Sequence, residues 1–191
     1  MANLSDEDLV AGIARGDRDA GREFFVRHRA GAFRIAYRLL GNEADAMDVV
    51  EDAFVKLLGA AGKFRGEAKA RTWFYRIVTN TALDLRRRRG RYVTMEAADD
   101  ALAVKDLLPS RERGPLEAAL GAETRSRIDQ ALAALSDKHR AVFLLTVVEG
   151  LSYKEAAEVL EISAGTVMSR LFYARKYLQK SLGGYLEADN E

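Results

Sequence analysis

Two stretches with helical periodicity, separated by only a few small residues, lie near the end of this chain and limit its fold more than any other feature. The sequence SYKEAAEVLEISAGTVMSRLFYARKYLQK occupies residues 152–180. Ser152 can cap the first helix and Ser163 the second. In a helix-turn-helix, the small Ala157 would let the two helices cross closely and Val167 would fill the crevice between them. The stretch therefore predicts a helix-turn-helix.

The outer face of the second predicted helix is basic, because no acidic residue occurs from Ser163 to Tyr185. The side chains expected to project toward a major groove are Met168, Ser169, Phe172, Tyr173 and Lys176. Those expected to neutralise phosphates are Arg170, Arg175 and Lys180. The alternative interpretation is an ordinary helical hairpin with a solvated basic face.

Helical patterns also fill most of the chain before this stretch. Ser5 is a cap for a short helix over residues 5–15, and a longer helix ends at Gly41. Asn42 can cap the next helix, in which one apolar stripe is predicted to hold Met47, Val50, Phe54, Leu57 and Leu58. Acidic residues lie on its other side. Since no strand-like alternation exceeds a few residues, the predicted fold class is all-α.

The run AVFLLTVV could be mistaken for a buried strand, but the residues around it favour a helix. Ser136 can cap that helix, Asp137 suits its first turn and Gly150 stops it. Both prolines of the chain, Pro109 and Pro115, lie in the segment before this region. The predicted organisation is two small helical domains, at 1–92 and 126–185, joined by a flexible linker at 93–125 and followed by a tail at 186–191.

Composition excludes several classes of protein. The chain has 191 residues, of which 48% are hydrophobic and 31% charged, as is typical of a soluble globular protein. It has no cysteine and only two histidines, His28 and His139, so neither a metal site nor a cofactor is expected. No apolar run approaches the roughly 20 residues that span a bilayer. We therefore expect a cytoplasmic protein without membrane insertion.

Charge is unevenly distributed although the formal net charge is only +1. Residues 41–58 carry five acidic residues and one basic residue, whereas residues 63–91 carry ten basic residues and two acidic ones. An acidic segment therefore directly precedes a basic one.

Two parts of the sequence resemble the extracytoplasmic-function (ECF) sigma factors of bacterial RNA polymerase. The segment LSDKHRAVFLLTVVEGLSYKEAAEVLEISAGTVMSRLFYARKYL resembles their domain that binds the promoter -35 element. The segment ADAMDVVEDAFVKLLGAAGKFRGEAKARTWFYRIVTNTALDLRRRRGR resembles their domain that binds the -10 element and core polymerase. The two similarities cover roughly residues 126–182 and 5–92, in the order that the family has.

The resemblance implies a sigma factor that binds core RNA polymerase and opens promoter DNA. The residues it implies for contact with core polymerase are Asp45, Asp48, Glu51, Asp52 and Lys56. Those implied for the -10 element are Lys63, Phe64, Arg65, Arg71, Trp73, Arg76, Asn80, Arg86 and Arg87. Those implied for the -35 element are Thr166, Met168, Ser169, Arg170, Phe172, Tyr173, Arg175 and Lys176. The alternative for the first set is a solvated acidic face on an ordinary core helix.

The basic loop KFRGEAKART has a composition that suits the capture of an unstacked base, because it combines cations with an aromatic ring and Gly66, and Gly62 directly precedes it. Trp73, Phe74 and Tyr75 follow it, but at helical spacing they point in different directions. At least one of them, Phe74, is therefore predicted to join the core with Ile77.

Several positions depart from the family pattern, and of these Glu161 is expected to strain or reshape the local backbone. Ser136 stands where the family usually has proline, and Glu161 stands where a glycine normally permits a positive φ between the two helices. Met168 and Tyr173 occupy positions where basic residues are frequent. Recognition of the DNA base sequence is therefore expected to depend on Ser169, Phe172 and apolar contacts, or on DNA shape.

Control by an anti-sigma factor is also implied by the resemblance. A stand-alone helix-turn-helix repressor is the alternative function, and it would explain residues 126–182 but not the FRGEAKARTWFYRIVTN block. An enzyme that acts on nucleic acid would need a carboxylate cluster or a nucleophile in the basic loop, where Glu67 alone is a poor metal site. We therefore expect a protein that is not an enzyme.

Overall fold

The computed structural model describes residues 4–96 and 122–188, with side chains over 4–89 and 126–183. Within these ranges the chain forms eight α-helices and no β-strand, so the all-α prediction is confirmed. The helices are α1 (Asp6–Ala14), α2 (Arg18–Leu40), α3 (Glu43–Ala60), α4 (Ala70–Glu96), α5 (Ala122–Ala134), α6 (Asp137–Phe143), α7 (Tyr153–Leu160) and α8 (Ala164–Ala188). No helix in the described ranges is both long and apolar enough to cross a membrane.

Local side-chain bonds explain where the first helices begin and end. Ser5 Oγ accepts a hydrogen bond from Asp8 N at 3.1 Å, and Asp8 Oδ2 accepts one from Ser5 N at 3.2 Å, which completes a capping box at α1. Gly41 ends α2 at φ +75°. Asn42 Oδ1 accepts from Asp45 N at 3.0 Å at the start of α3. The three predicted helix ends at Ser5, Gly41 and Asn42 are confirmed.

The apolar stripe predicted for α3 is wrong at two positions. Met47 is 51% exposed and Leu58 is 45% exposed, whereas the buried residues of α3 are Ala46, Val49, Val50, Ala53 and Leu57. The two buried alanines let α3 approach α2 and α4 closely, so the buried face is rotated away from Met47. Two large apolar side chains are left on the solvent side.

The core of the first domain is built around aromatic rings. Phe24 of α2 and Phe74 of α4 are completely buried, and their ring centroids lie 5.7 Å apart in an edge-to-face arrangement. The prediction that Phe74 joins the core is confirmed. Tyr75 is buried as well, and Ile77 packs against the same core while remaining partly exposed. Of the three consecutive aromatic residues, Trp73 is the least buried.

The second domain consists of α5 to α8. Helix α6 continues into a π-helical turn at Leu144–Val148, and Gly150 follows at φ +69°, which confirms the predicted stop. Ser136 lies at the predicted capping position of α6, but its Oγ does not bond a backbone amide. It lies 2.8 Å from His139 Nδ1 instead. A ring nitrogen one turn away has replaced the amide as its partner.

The two domains pack against each other, mainly through α4 and α7. Arg34 Nε and Nη2 donate to Glu149 Oε1 and Oε2 at 2.8 and 2.9 Å. Lys69 Nζ lies 2.8 Å from Glu155 Oε1. These ion pairs join residues of the first domain to residues of the second, so charge complementarity contributes to the contact.

The described backbone extends into both ends of the predicted linker, because α4 continues to Glu96 and α5 begins at Ala122. Helix α8 likewise continues to Ala188, three residues into the predicted tail. Residues 97–121 and 189–191 lie outside the described residues, so the flexible linker and the domain boundaries stay a prediction.

Candidate nucleic-acid and protein interfaces

The helix-turn-helix predicted from the sequence is formed by α7 and α8. Ser152 Oγ accepts from Glu155 N at 3.2 Å and Glu155 Oε2 accepts from Ser152 N at 2.8 Å, a capping box that begins α7. Ser163 Oγ accepts from Thr166 N at 3.0 Å at the start of α8. Ala157 and Val167 are buried where the two helices meet. The roles predicted for all four of Ser152, Ser163, Ala157 and Val167 are confirmed.

Glu161 lies in the turn between these helices with φ +54° and ψ +45°, and it has the only positive φ among the non-glycine residues of the described ranges. This left-handed conformation places Cβ close to the following carbonyl oxygen. Its amide N–H still bonds the Ala157 carbonyl, which ends α7. The turn therefore keeps the shape that glycine would provide, at an energetic cost.

Replacing Glu161 by glycine should raise the free energy of unfolding by about 1 kcal/mol, because glycine adopts this conformation without a Cβ clash. Urea denaturation followed by circular dichroism measures the change. Glu158→Gly is the matched control, since Glu158 lies inside α7, where glycine should cost about 1 kcal/mol. A loss of stability in Glu161→Gly would mean that contacts of the glutamate side chain outweigh the backbone strain.

The outer face of α8 carries most of the residues predicted for the -35 element. Thr166 and Arg170 are half-buried, and Thr166 Oγ1 lies 2.8 Å from Ser163 Oγ. The side chains that are exposed to solvent are Met168, Ser169, Phe172, Tyr173, Arg175 and Lys176. The structure therefore brings the predicted set together on one helix face.

The basic loop lies between a 3-10 turn at Ala61–Lys63 and the start of α4. Lys63, Arg65 and Lys69 are exposed, and Gly66 turns the backbone with φ +71°. At the far side of the loop, Glu7 Oε1 accepts from Ala70 N at 3.1 Å, so a side chain of α1 caps the first turn of α4. The cations are held on a turn that is fixed at its end.

Phe64 and Trp73 form an aromatic pair beside these cations. Their ring centroids lie 5.0 Å apart with 30° between the planes, and both rings are half-buried. Arg71 is also half-buried, with its guanidinium 6.0 Å from the centroid of Tyr75. One partly exposed aromatic pair is therefore placed at the edge of the basic loop.

Farther along α4, the predicted DNA-binding residues differ in their exposure and in their hydrogen-bond partners. Asn80 is exposed and Arg76 is half-buried. Arg87 Nη2 donates to Asp84 Oδ1 at 2.7 Å. Arg86 turns toward the second domain, where its Nε lies 2.9 Å from Asp137 Oδ1, and it also donates to the Leu39 carbonyl. In this arrangement Arg86 makes contacts within the protein.

The residues predicted to contact polymerase lie on α3. Asp48, Glu51 and Asp52 are exposed there, together with Lys56, which donates to Thr81 Oγ1 at 3.0 Å. Asp45 is different, because its carboxylate accepts hydrogen bonds from Arg89 and is largely shielded from solvent. Three of the four predicted carboxylates therefore share an open face.

Sequence reasoning missed the apolar part of this face. Met47, Val55 and Leu58 are exposed among the acidic residues of α3. The signal was present in the sequence, since α3 has more apolar residues than one buried stripe can hold. Large exposed apolar side chains grouped with charges are typical of a protein interface.

Electrostatic coupling links the basic loop to the helix-turn-helix. The hydrogen bond from Lys69, aided by the Ser152 amide, lowers the pKa of Glu155 to about 2. Burial beside Glu149 raises the pKa of the Tyr75 hydroxyl to about 12. The described side chains include no cluster of three or more histidine, aspartate and glutamate residues able to hold a metal ion.

Comparisons with known proteins find two family matches, one in each part of the chain. The family Sigma-70 region 2 matches residues 24–92, and the family Sigma-70 region 4 matches residues 125–178. The chain is 34% identical to the RNA polymerase sigma-H factor of Pseudomonas aeruginosa, over 95% of this chain and 96% of that protein. It is 31% identical to the ECF RNA polymerase sigma factor SigW of Bacillus subtilis, over 89% and 92%.

A solved structure of CnrH in complex with the cytosolic domain of CnrY is also similar. The TM-score is 0.68 at 29% sequence identity, and the similarity covers 96% of this chain and 98% of that chain. The sigma factor RpoE from Bartonella quintana, solved with the anti-sigma factor NepR, has a TM-score of 0.67 at 23% identity, over 85% of this chain and 96% of that chain. The second likeness concerns the fold alone.

Proposed function

Because this chain belongs to the ECF group of sigma-70 factors of RNA polymerase, we propose that it binds core polymerase, directs it to -10 and -35 promoter elements and separates the two DNA strands. The polymerase carries out RNA synthesis, and this chain supplies recognition and melting in the cytoplasm. The observation that carries the proposal is the presence, in one chain, of a helix-turn-helix with an exposed outer face and of a basic, aromatic loop on the other domain.

Contact with core polymerase is assigned to the exposed face of α3. Asp48, Glu51 and Asp52 offer carboxylates, and Met47 and Val55 add apolar area between them. A basic partner surface with an apolar centre would complement such a face in both charge and shape. Asp45 and Lys56 remain in the proposed set, although each has a partner within the chain.

Melting at the -10 element is assigned to the loop from Lys63 to Arg71 and to the first turns of α4. Strand opening without ATP requires capture of an unstacked base, and base–aromatic stacking supplies roughly 1–3 kcal/mol for each base. Phe64 and Trp73 offer ring surface at the edge of the loop, beside Arg65. Asn80, Arg76 and Arg87 continue the proposed surface along α4.

Binding at the -35 element is assigned to the outer face of α8, where the helix-turn-helix geometry places side chains in the major groove. The flanking cations Arg175 and Lys176 would neutralise phosphates, which makes the affinity dependent on salt. Thr166 lies at the N-terminal end of this surface, where recognition helices contact base edges.

The packed arrangement of the two domains does not fit simultaneous promoter binding. The centres of the -10 and -35 elements are about 25 base pairs apart, which is roughly 85 Å along B-DNA. Lys69 of the loop pairs directly with Glu155 of the helix-turn-helix, so the two binding regions are adjacent. We therefore propose that the domains separate when the chain joins polymerase.

An anti-sigma factor is the proposed regulator. CnrH, which is similar to this chain across both domains, was solved with the cytosolic domain of CnrY bound. A partner that stabilises the packed arrangement would keep the -10 and -35 surfaces from reaching their elements together. This is the regulatory role that we propose for such a factor.

Run-off transcription on a library of promoter fragments tests the proposed function, with core polymerase alone compared to core polymerase plus this chain. We expect promoter-specific transcripts only when the chain is present. Trp73→Ala should reduce these transcripts about fivefold or more on linear duplex templates, because loss of one stacking contact costs roughly 1–3 kcal/mol. Arg65→Ala should also reduce them and should make their yield less dependent on salt, because one phosphate contact is lost.

Arg22→Ala is the matched control, since Arg22 is an exposed cation of α2 outside the proposed surfaces. It should leave transcription within twofold of the unmodified chain. Unchanged transcription in the presence of the chain, combined with tight binding of the isolated chain to duplex DNA, would reject initiation and favour a stand-alone repressor.

A further inference from the structure

The outer face of α8 exposes several large apolar and aromatic side chains to solvent. Met168 is 56% exposed and Phe172 is 62% exposed, and Tyr173 and Tyr177 continue the same surface. The inner face is buried against α5, α6 and α7 through Val167, Leu171, Ala174 and Leu178. Large apolar side chains that are kept in water in this way mark a binding surface.

Ring contacts fix part of this apolar surface before any ligand binds. The rings of Phe172 and Tyr173 meet edge to face with centroids 5.6 Å apart. The Tyr173 ring also lies 6.3 Å from the ring of His139, which belongs to α6. The aromatic side chains therefore form a supported surface, and little conformational entropy is lost when it binds.

The serine and threonine hydroxyl groups on this face already have hydrogen-bond partners within the helix and its cap. Ser169 Oγ donates to the Thr166 carbonyl at 3.1 Å, and Thr166 Oγ1 pairs with Ser163 Oγ. The hydroxyls at the N-terminal end of α8 thus satisfy one another and the helix. Base discrimination through hydroxyl hydrogen bonds would first have to break these contacts.

Charge identifies the kind of partner that this apolar face fits. Residues 163–185 contain four basic residues and no acidic residue. Arg175 and Lys176 lie beside Phe172 and Tyr173 on the exposed side of α8. A polyanion is therefore favoured over an apolar protein surface, and in the major groove of DNA the apolar group that bases present is the C5 methyl of thymine.

We propose that α8 reads its DNA element chiefly through apolar contacts between Met168 and Phe172 and thymine C5 methyl groups, while Arg175 and Lys176 bind phosphates. The inference rests on the proposed function and specifies the chemistry of its -35 readout. It predicts that the selected elements contain A·T pairs at the positions facing Met168 and Phe172.

Deoxyuridine substitution isolates the methyl group, because deoxyuridine keeps every hydrogen-bonding group of thymine. Polymerase holoenzyme containing the full chain would be titrated with duplex promoters selected from the library, in which single thymines of the -35 element are replaced. We expect the affinity to fall about fourfold for each contacted methyl, the effect of losing one buried methyl-sized group. Met168→Ala or Phe172→Ala should abolish this sensitivity at its own position.

Lys176→Ala is the matched control on the same helix face. It should weaken binding equally for thymine and deoxyuridine templates and lower the slope of log affinity against log salt by about one. The sensitivity to the methyl group should be unchanged. Met168 and Phe172 are solvent-exposed, so their alanine variants should fold, and circular dichroism checks this.

Three outcomes would overturn the inference while leaving the proposed function standing. The first is selection of -35 elements that lack thymine, and the second is equal affinity for thymine and deoxyuridine templates. The third is an unaltered methyl sensitivity in Met168→Ala and Phe172→Ala, which would show that other residues contact the methyl groups. Absence of promoter-specific transcription would instead show that the proposed function itself is wrong.

Discussion

Gly31→Ala should destabilise the folded chain by about 1–3 kcal/mol, although alanine ordinarily stabilises the interior of a helix relative to glycine. Gly31 lies buried in the middle of α2. A Cβ at this position would lie 1.9 Å from Tyr75 Oη and 2.8 Å from Glu149 Oε2. Neither group can move freely, since Tyr75 is buried and Arg34 holds Glu149 with two hydrogen bonds.

Urea denaturation of the full chain measures this effect, with Gly59→Ala as the matched control. Gly59 lies near the end of α3, and a Cβ there would meet no atom within 4 Å. That variant should gain up to about 1 kcal/mol. A second variant, Gly31→Ala with Tyr75→Phe, removes the nearest oxygen and should recover part of the loss. Equal stability of Gly31→Ala and the unmodified chain would contradict the packing of α4 and Glu149 against α2.

Arg140→Ala should lower the free energy of unfolding by about 3 kcal/mol or more, because it removes the hydrogen-bond donors of several buried carbonyls. The Arg140 side chain is buried, and its Nε donates to the Leu132 carbonyl at 2.8 Å. Nη2 donates to the carbonyl of Leu135 at 2.8 Å and also to that of Ala133, while Nη1 reaches Leu39 of the first domain at 3.4 Å.

The Arg140 guanidinium serves mainly as a hydrogen-bond donor to the carbonyls at the end of α5, which have no partner within the helix. Arg140→Lys should lose less than the alanine variant, since one ammonium group can reach some of these carbonyls but cannot form the planar fork. Water entering the adjacent cavity of about 160 Å³ would limit the loss in both variants.

Thermal and urea denaturation of the unmodified chain, Arg140→Ala and Arg140→Lys test this prediction. Lys138→Ala is the control on the same helix. Lys138 is exposed, so its replacement should change stability by no more than about 0.5 kcal/mol. Similar small effects at Arg140 and Lys138 would mean that the α5 carbonyls find other partners.

The helix ends could be predicted from the sequence because capping is a local interaction. Ser5, Asn42, Ser152 and Ser163 each bond an amide within three residues along the chain. Gly41 adopts its positive φ for reasons that concern its own backbone. Such features need no knowledge of the rest of the fold.

The orientation of α3 could not be predicted because it depends on the size of residues in neighbouring helices. The periodicity of the sequence correctly indicated an amphipathic helix, but it placed Met47 and Leu58 in the core. The small Ala46 and Ala53 are buried instead. The same misplacement concealed the exposed apolar residues that now mark the proposed polymerase contact.

Long-range ion pairs limited how much of the candidate site could be predicted. Asp45 pairs with Arg89, 44 residues away, and Arg86 pairs with Asp137 in the other domain. Periodicity describes contacts within one helix and contains no information about such partners. The set on α8 was easier to predict, because all of its residues lie on one helix whose inner face was evident from the apolar pattern.

The bond from Glu7 to the amide of Ala70 ties the first helix of the chain to the start of α4. The match to the Sigma-70 region 2 family begins at residue 24, after the whole of α1. A fragment cut at that boundary would retain every cation of the basic loop but would lack the carboxylate that caps the helix following it. The proposed DNA-melting unit therefore includes the first helix of the chain, which lies upstream of the match to Sigma-70 region 2.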